Sequence, residues 1–151
     1  MKRRPVGIGI IGGGLMGRES TSAFARWRTL TDVTVEPQLV GVADLNPAAL
    51  EWFDDGRTFL TRDYRELLDR NEIEILYVAV PHNLHAKIYG EVLEVSKDLL
   101  AEKPFGIDLV AAEQIAAHAA YDRAQEWSDA SLEYVKTVLE AVKDRVCTES
   151  L

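Results

Sequence analysis

The chain of 151 residues is one domain's worth of polypeptide, and its 47% hydrophobic content is enough to build a substantial core. A formal net charge of −8 argues against nucleic acid or an anionic membrane surface as partner. The single cysteine, Cys147, rules out an internal disulfide and fits a reducing compartment.

Lys2, Arg3 and Arg4 ahead of an apolar run imitate an export signal. Glycines interrupt that run at Gly7, Gly9 and Gly12 to Gly14, Arg18-Glu19 follow it, and no small-residue cleavage site closes it. No stretch approaches transmembrane length. The expected location is therefore the cytoplasm, with no membrane partner.

Val6 to Ile11 is short, apolar and rich in β-branched residues, which predicts a strand buried on both faces. Gly12, Gly14 and Gly17 then fall in the G-x-G-x-x-G spacing, and a helical pattern from Leu15 to Trp27 follows at once. In a dinucleotide-binding turn the first glycine permits the tight exit from the strand. The second lets a pyrophosphate approach the backbone, and the third lets the helix pack closely. The free N–H groups and positive dipole end of that helix then face the phosphates. A glycine turn also arises for packing alone; strand, spacing and helix in this order favour the cofactor reading.

Arg28 to Gln38 reads as a polar connection, and Leu39 to Ala43 as a second strand ending on Asp44. An acidic side chain at that tip accepts hydrogen bonds from the adenosine ribose hydroxyls and repels a 2′-phosphate, which favours NAD over NADP. Asp44 lies further from Gly17 than the usual ~20 positions, an excess the polar connection accounts for. The competing reading is a turn-forming Asp. Asn46-Pro47 predicts an N-cap with proline at the first helical position, opening a helix to about Asp54. A third strand is expected near Thr58 to Leu60, then a helix capped by Asp63 that turns Leu67 and Leu68 inward.

Glu74 to Val80 is the second strong strand, stopped by Pro81, with a helix from about Asn83 to Val95. His82 and His85 invite a metal reading, but no third ligand or carboxylate partner accompanies them, so no metal is expected. An imidazole beside the nicotinamide, a cap, or a buried packing histidine are the other readings. Asp98 to Ala101 forms a fifth strand, Glu102 to Gly106 a turn, and Asp108 caps an alanine-rich helix to about Ala120. Lys103 leaves the sheet at the ligand edge, where an ammonium can bond a substrate oxygen and stabilise developing negative charge. The same residues also read as an ordinary solvated turn.

Alternation of strand and helix predicts an α/β fold, a doubly wound parallel sheet of the Rossmann type with ligands at the strands' carboxyl ends. The domain is expected over residues 1–121, with a helical extension over 122–151. In that extension Leu132, Val135, Val138, Leu139, Val142 and Val146 form an apolar stripe. It is expected to cover the exposed edge of the fifth strand or to build a homodimer.

Four stretches in one order carry a resemblance: Gly12-x-Gly14-x-x-Gly17, Asp44-Leu45-Asn46-Pro47, Val80-Pro81-x-x-x-His85, and Ala101-Glu102-Lys103-Pro104-Phe105-Gly106. Over about Val6 to Ala120 the chain resembles the N-terminal half of the Gfo/Idh/MocA oxidoreductases. The resemblance implies NAD(P)-dependent hydride transfer on a sugar, cyclitol or related polyol. It implies Lys103 as the residue that contacts substrate, and a cis Lys103–Pro104 bond. It implies cofactor contacts from Gly12, Gly14, Leu15, Met16, Gly17, Asp44, Val80, Pro81, His85 and Glu102. His82 stands where the family often has Asn. The family's second α/β domain is not recognised after Ala120, so a non-catalytic nucleotide-binding module, or a fragment pairing through its last helix, is the alternative function.

Overall fold

The computed structural model describes residues 3–29 and 34–123. The expected tail helix, its apolar stripe and Cys147 lie outside the described residues.

Five parallel strands form one sheet in the order β3-β2-β1-β4-β5. They are β1 (Arg4–Ile11), β2 (Val35–Ala43), β3 (Phe59–Thr61), β4 (Ile75–Val78) and β5 (Asp98–Ala101). Between and after them run α1 (Leu15–Ala25), α2 (Pro47–Glu51), α3 (Arg65–Leu68), α4 (His85–Glu94) and α5 (Leu109–Arg123). The order reverses direction beside β1, between it and β4, and a doubly wound sheet opens its ligand crevice at such a point.

Alternation along the central strands divides the core between the two faces. Ile10 of β1 and Tyr77 of β4 join Val42, Leu50 and Phe53 under α1 and α2. Their neighbours Ile11, Leu76 and Val78 pack with Ile88, Tyr89, Val92 and Ile115 under α4 and α5. The period of two thus covers both faces and makes the fold α/β doubly wound, as expected.

Several boundaries differ from expectation. β2 begins at Val35, inside the stretch read as a polar connection, because Arg4 to Ile8 of β1 pair with it from Val35 onward. Pro37 is tolerated there because β3 pairs only with Gly41 to Ala43, which leaves the first half of β2 an edge on its other side. α2 ends at Glu51, and its last turn tightens into three-residue bonds, from the Phe53 N–H to the Leu50 carbonyl and from Asp54 to Glu51. β4 stops at Val78, and a 3-10 turn over His82–Leu84 precedes α4. The expected caps are present. Asn46 accepts from the Ala48 N–H, Asp63 from Arg65 and Asp108 from Ala111.

Candidate functional site: the cleft behind the glycine turn

The turn after β1 is built by steric exclusion. Gly12 has φ +104°, and a Cβ on it would stand 2.2 Å from the Ala79 carbonyl oxygen. Gly17, in the first turn of α1, is pressed on Gly12 itself: a Cβ there would meet the Gly12 oxygen at 2.2 Å. Gly14 differs from both. It is the N-cap of α1, and a Cβ on it would have nothing within 4 Å. Two glycines therefore shape the turn, and the third opens onto space at the helix's positive end.

That space is a cleft of about 490 Å³, a size usual for small-molecule sites. Gly12, Gly14, Asp44, Val80 and Pro81 are among the residues that line it. Asp44 is also pinned to the turn: one carboxylate oxygen accepts from the Gly13 N–H at 2.7 Å and the other from Asn46 at 2.8 Å. The carboxylate thus ties the tip of β2 to the glycine turn while facing the cleft. Chain separation hid several further wall residues, among them Leu45, Arg62, Tyr64, Leu84 and Lys87. Arg62 donates from Nε to the Leu45 carbonyl, which sets a guanidinium beside Asp44's loop. The signal was present in outline, since β3 ends on the same sheet edge as β2.

The other proposed contacts divide differently. Leu15 and Met16 are exposed on the first turn of α1, outside the residues that line the cleft. Gly17 is buried and acts by packing. His85 is fully buried behind the wall, with Nδ1 2.8 Å from the Pro104 carbonyl oxygen and Nε2 3.0 Å from that of Val80. Both ring nitrogens are engaged inside the protein, and the ring is not among the residues that line the cleft. His82 is exposed, its ring edge-on to His85. No group of three metal-ligating side chains occurs among the described residues.

Glu102, Lys103 and Pro104 leave β5 beside the exit of β4, because Val78 and Ala101 are register partners. The Lys103–Pro104 bond is cis, as the resemblance implied. Glu102 does not line the cleft; it anchors the turn. Its Oε1 accepts from the Tyr77 hydroxyl at 2.5 Å, its Oε2 from the Lys103 N–H, and its carbonyl from the Tyr89 hydroxyl at 3.0 Å. The Tyr77 bond holds the Glu102 carboxyl below its ordinary value against the opposing effect of burial, and Lys103 and His85 add to it. Burial pushes the Tyr89 hydroxyl up to about 12, so it stays a donor. Lys103 itself stands exposed on this fixed turn.

A family model described as an oxidoreductase family with an NAD-binding Rossmann fold matches residues 6–128. The chain belongs to the Gfo/Idh/MocA oxidoreductase family. Among curated relatives, a dTDP-3,4-didehydro-2,6-dideoxy-alpha-D-glucose 3-reductase of Saccharopolyspora spinosa is 35% identical over 106 residues, 68% of this chain and 29% of that protein. Among solved structures, an oxidoreductase domain protein from Kribbella flavida superposes with a TM-score of 0.73 at 30% identity, over 80% of this chain and 33% of the other. A levoglucosan dehydrogenase in complex with NADH superposes with a TM-score of 0.70 at 27% identity, over 76% of this chain and 32% of the other. The chain spans about a third of the length of these relatives. This Gfo/Idh/MocA chain is an NAD-binding Rossmann domain, and no helix among its described residues is long and apolar enough to cross a membrane.

Proposed function

We infer that the chain forms the cofactor-binding part of an oxidoreductase that exchanges hydride with a secondary hydroxyl or ketone of a sugar, cyclitol or related polyol, with NAD preferred over NADP. The observation that carries this is the open space at Gly14, at the N-terminus of α1, on the same sheet edge as the anchored Lys103 turn. When bound, NAD supplies the group that accepts or returns the hydride. The helix N-terminus and the glycine turn hold the diphosphate, and Asp44 faces the ribose side of the cleft. Lys103 is the residue assigned to substrate: its ammonium donates to the reacting oxygen and stabilises negative charge there. Glu102 and its tyrosine partners fix where that ammonium starts from.

Calorimetric titration with NAD and NADP tests the cofactor half. NAD should bind at least about tenfold more tightly, since the Asp44 carboxylate repels a 2′-phosphate. A polyol screen followed by NADH absorbance tests the chemistry. Lys103→Ala should lower turnover by about a hundredfold with cofactor affinity unchanged. Cofactor binding without turnover on any polyol would favour a nucleotide-binding module instead. The reading extends to a cytoplasmic setting, which the single cysteine fits, and to a homodimer, for which the edge strand β5 with its exposed Leu100 is one surface among the described residues.

A further inference from the structure

His85 sits in a hydrogen-bonding position that a neutral imidazole cannot satisfy. Its ring is fully buried, and each nitrogen faces a backbone carbonyl, Pro104 at 2.8 Å and Val80 at 3.0 Å. A carbonyl oxygen only accepts, and a neutral imidazole has one donor and one lone pair. Either tautomer would therefore set a lone pair against a lone pair out of reach of water, and would leave a buried acceptor unmade. Turning the ring over replaces each nitrogen with carbon and forfeits both bonds. Two N–H donors satisfy the position. We propose that His85 is held as an imidazolium, a two-pronged clip that joins the carbonyl at the end of β4 to the carbonyl of the Lys103–Pro104 turn and so positions Lys103.

The surroundings suit a cation. From α4 the Tyr89 ring stacks on the imidazole, centroids 4.7 Å apart with 25° between planes, and offers its negative face. From the exit of β5 comes the Glu102 carboxylate, held below its ordinary value chiefly by the Tyr77 hydroxyl of β4. From the 3-10 turn the His82 ring meets His85 edge-on at 5.4 Å and stays exposed to water. Lys103 is the one other cation of this turn, and its side chain is exposed. Two bonded donors, a carboxylate on the neighbouring turn and an aromatic face beneath the ring offset part of the desolvation penalty of a buried charge.

The clip has a consequence for the site. Val80 lines the cofactor cleft, whereas Pro104 follows Lys103 directly, so one side chain ties the cleft wall to the turn that carries the substrate residue. A neutral ring holds only one of the two. The catalytic half of this inference rests on the role given to Lys103 above; the protonation half does not.

Nitrogen NMR of the histidine-labelled full chain, without cofactor or substrate, tests it. His82→Gln and His118→Gln remove the other two histidine signals and assign His85. Both His85 nitrogens should carry a directly bonded proton at neutral pH; one bare nitrogen would overturn the proposal. A second measurement covers the positioning role. His85→Asn places a single amide nitrogen near Nδ1, so it keeps the Pro104 bond and loses that to Val80. Its NAD affinity should stay within about threefold of the parent. The backbone signals of Lys103 and Phe105 should move, and turnover on any active polyol should fall about tenfold to a hundredfold at similar KM. Unmoved signals at 103 and 105 in the folded variant would refute the clip. Absence of turnover in the parent would refute the proposed activity alone and leave the NMR result standing.

Discussion

Replacing Gly14 with valine separates cofactor binding from folding. The valine Cβ meets nothing within 4 Å, and the backbone is extended with a negative φ of −69°. The folding cost is therefore that of a poorer N-cap, about 1 kcal/mol, or roughly 3 °C in Tm for a chain of this size. On the proposed placement of the diphosphate, the same atoms would block its approach to the N-terminus of α1. Losing two charge-assisted bonds from backbone N–H groups costs about 3–6 kcal/mol, roughly a 10²- to 10⁴-fold loss of NAD affinity. Gly17→Ala is the contrasting control. Its single methyl carbon would stand 2.2 Å from the Gly12 oxygen, roughly 1 Å inside contact, so α1 must lift at a cost of about 1–3 kcal/mol or more. Thermal unfolding and calorimetric NAD titration on both variants read the two effects separately. Gly14→Val binding NAD within about threefold of the parent would refute the placement of the diphosphate, and Gly17→Ala unfolding at the parent's Tm would refute the packing argument.

Two other outcomes follow from the side chains around the cleft. Asp44→Asn turns one arm of the side chain into a donor that must face the Gly13 or Asn46 N–H, so NAD affinity should fall about tenfold through the unpinned turn alone. The NAD-to-NADP affinity ratio should narrow as the negative charge goes, and calorimetry giving an unchanged ratio would contradict the assignment. Glu102, whose carboxyl is held below its ordinary value of 4.5, stabilises the fold fully above that value, and the contribution is lost as pH falls through the lowered one. Tyr77→Phe removes the main cause, so about 1 kcal/mol should be lost at neutral pH, and the gap between variant and parent should close as pH falls through the lowered value. Urea midpoints measured against pH that coincide in parent and variant would show that Tyr77 does not set the turn.

The sequence by itself determined whatever depends on neighbours a few residues apart. The apolar run at Val6 to Ile11, the spacing of Gly12, Gly14 and Gly17, and the caps at Asn46, Asp63 and Asp108 are of this kind, since turn geometry and capping act within one turn of chain. The alternation of these elements was enough to give the doubly wound sheet and its ligand edge. Only the tertiary structure decided what depends on residues distant in the chain. Val35 to Gln38 is strand because β1 extends back to Arg4 to pair with it, and nothing in its own composition says so. Asp44 meets Gly13 across 31 positions, Tyr77 meets Glu102 across 25, and His85 meets Pro104 across 19. Such contacts follow from strand register and helix docking, which no local pattern encodes. That is why His85 reads in the sequence as a residue for the cofactor and stands in the fold as the fastener of the lysine turn.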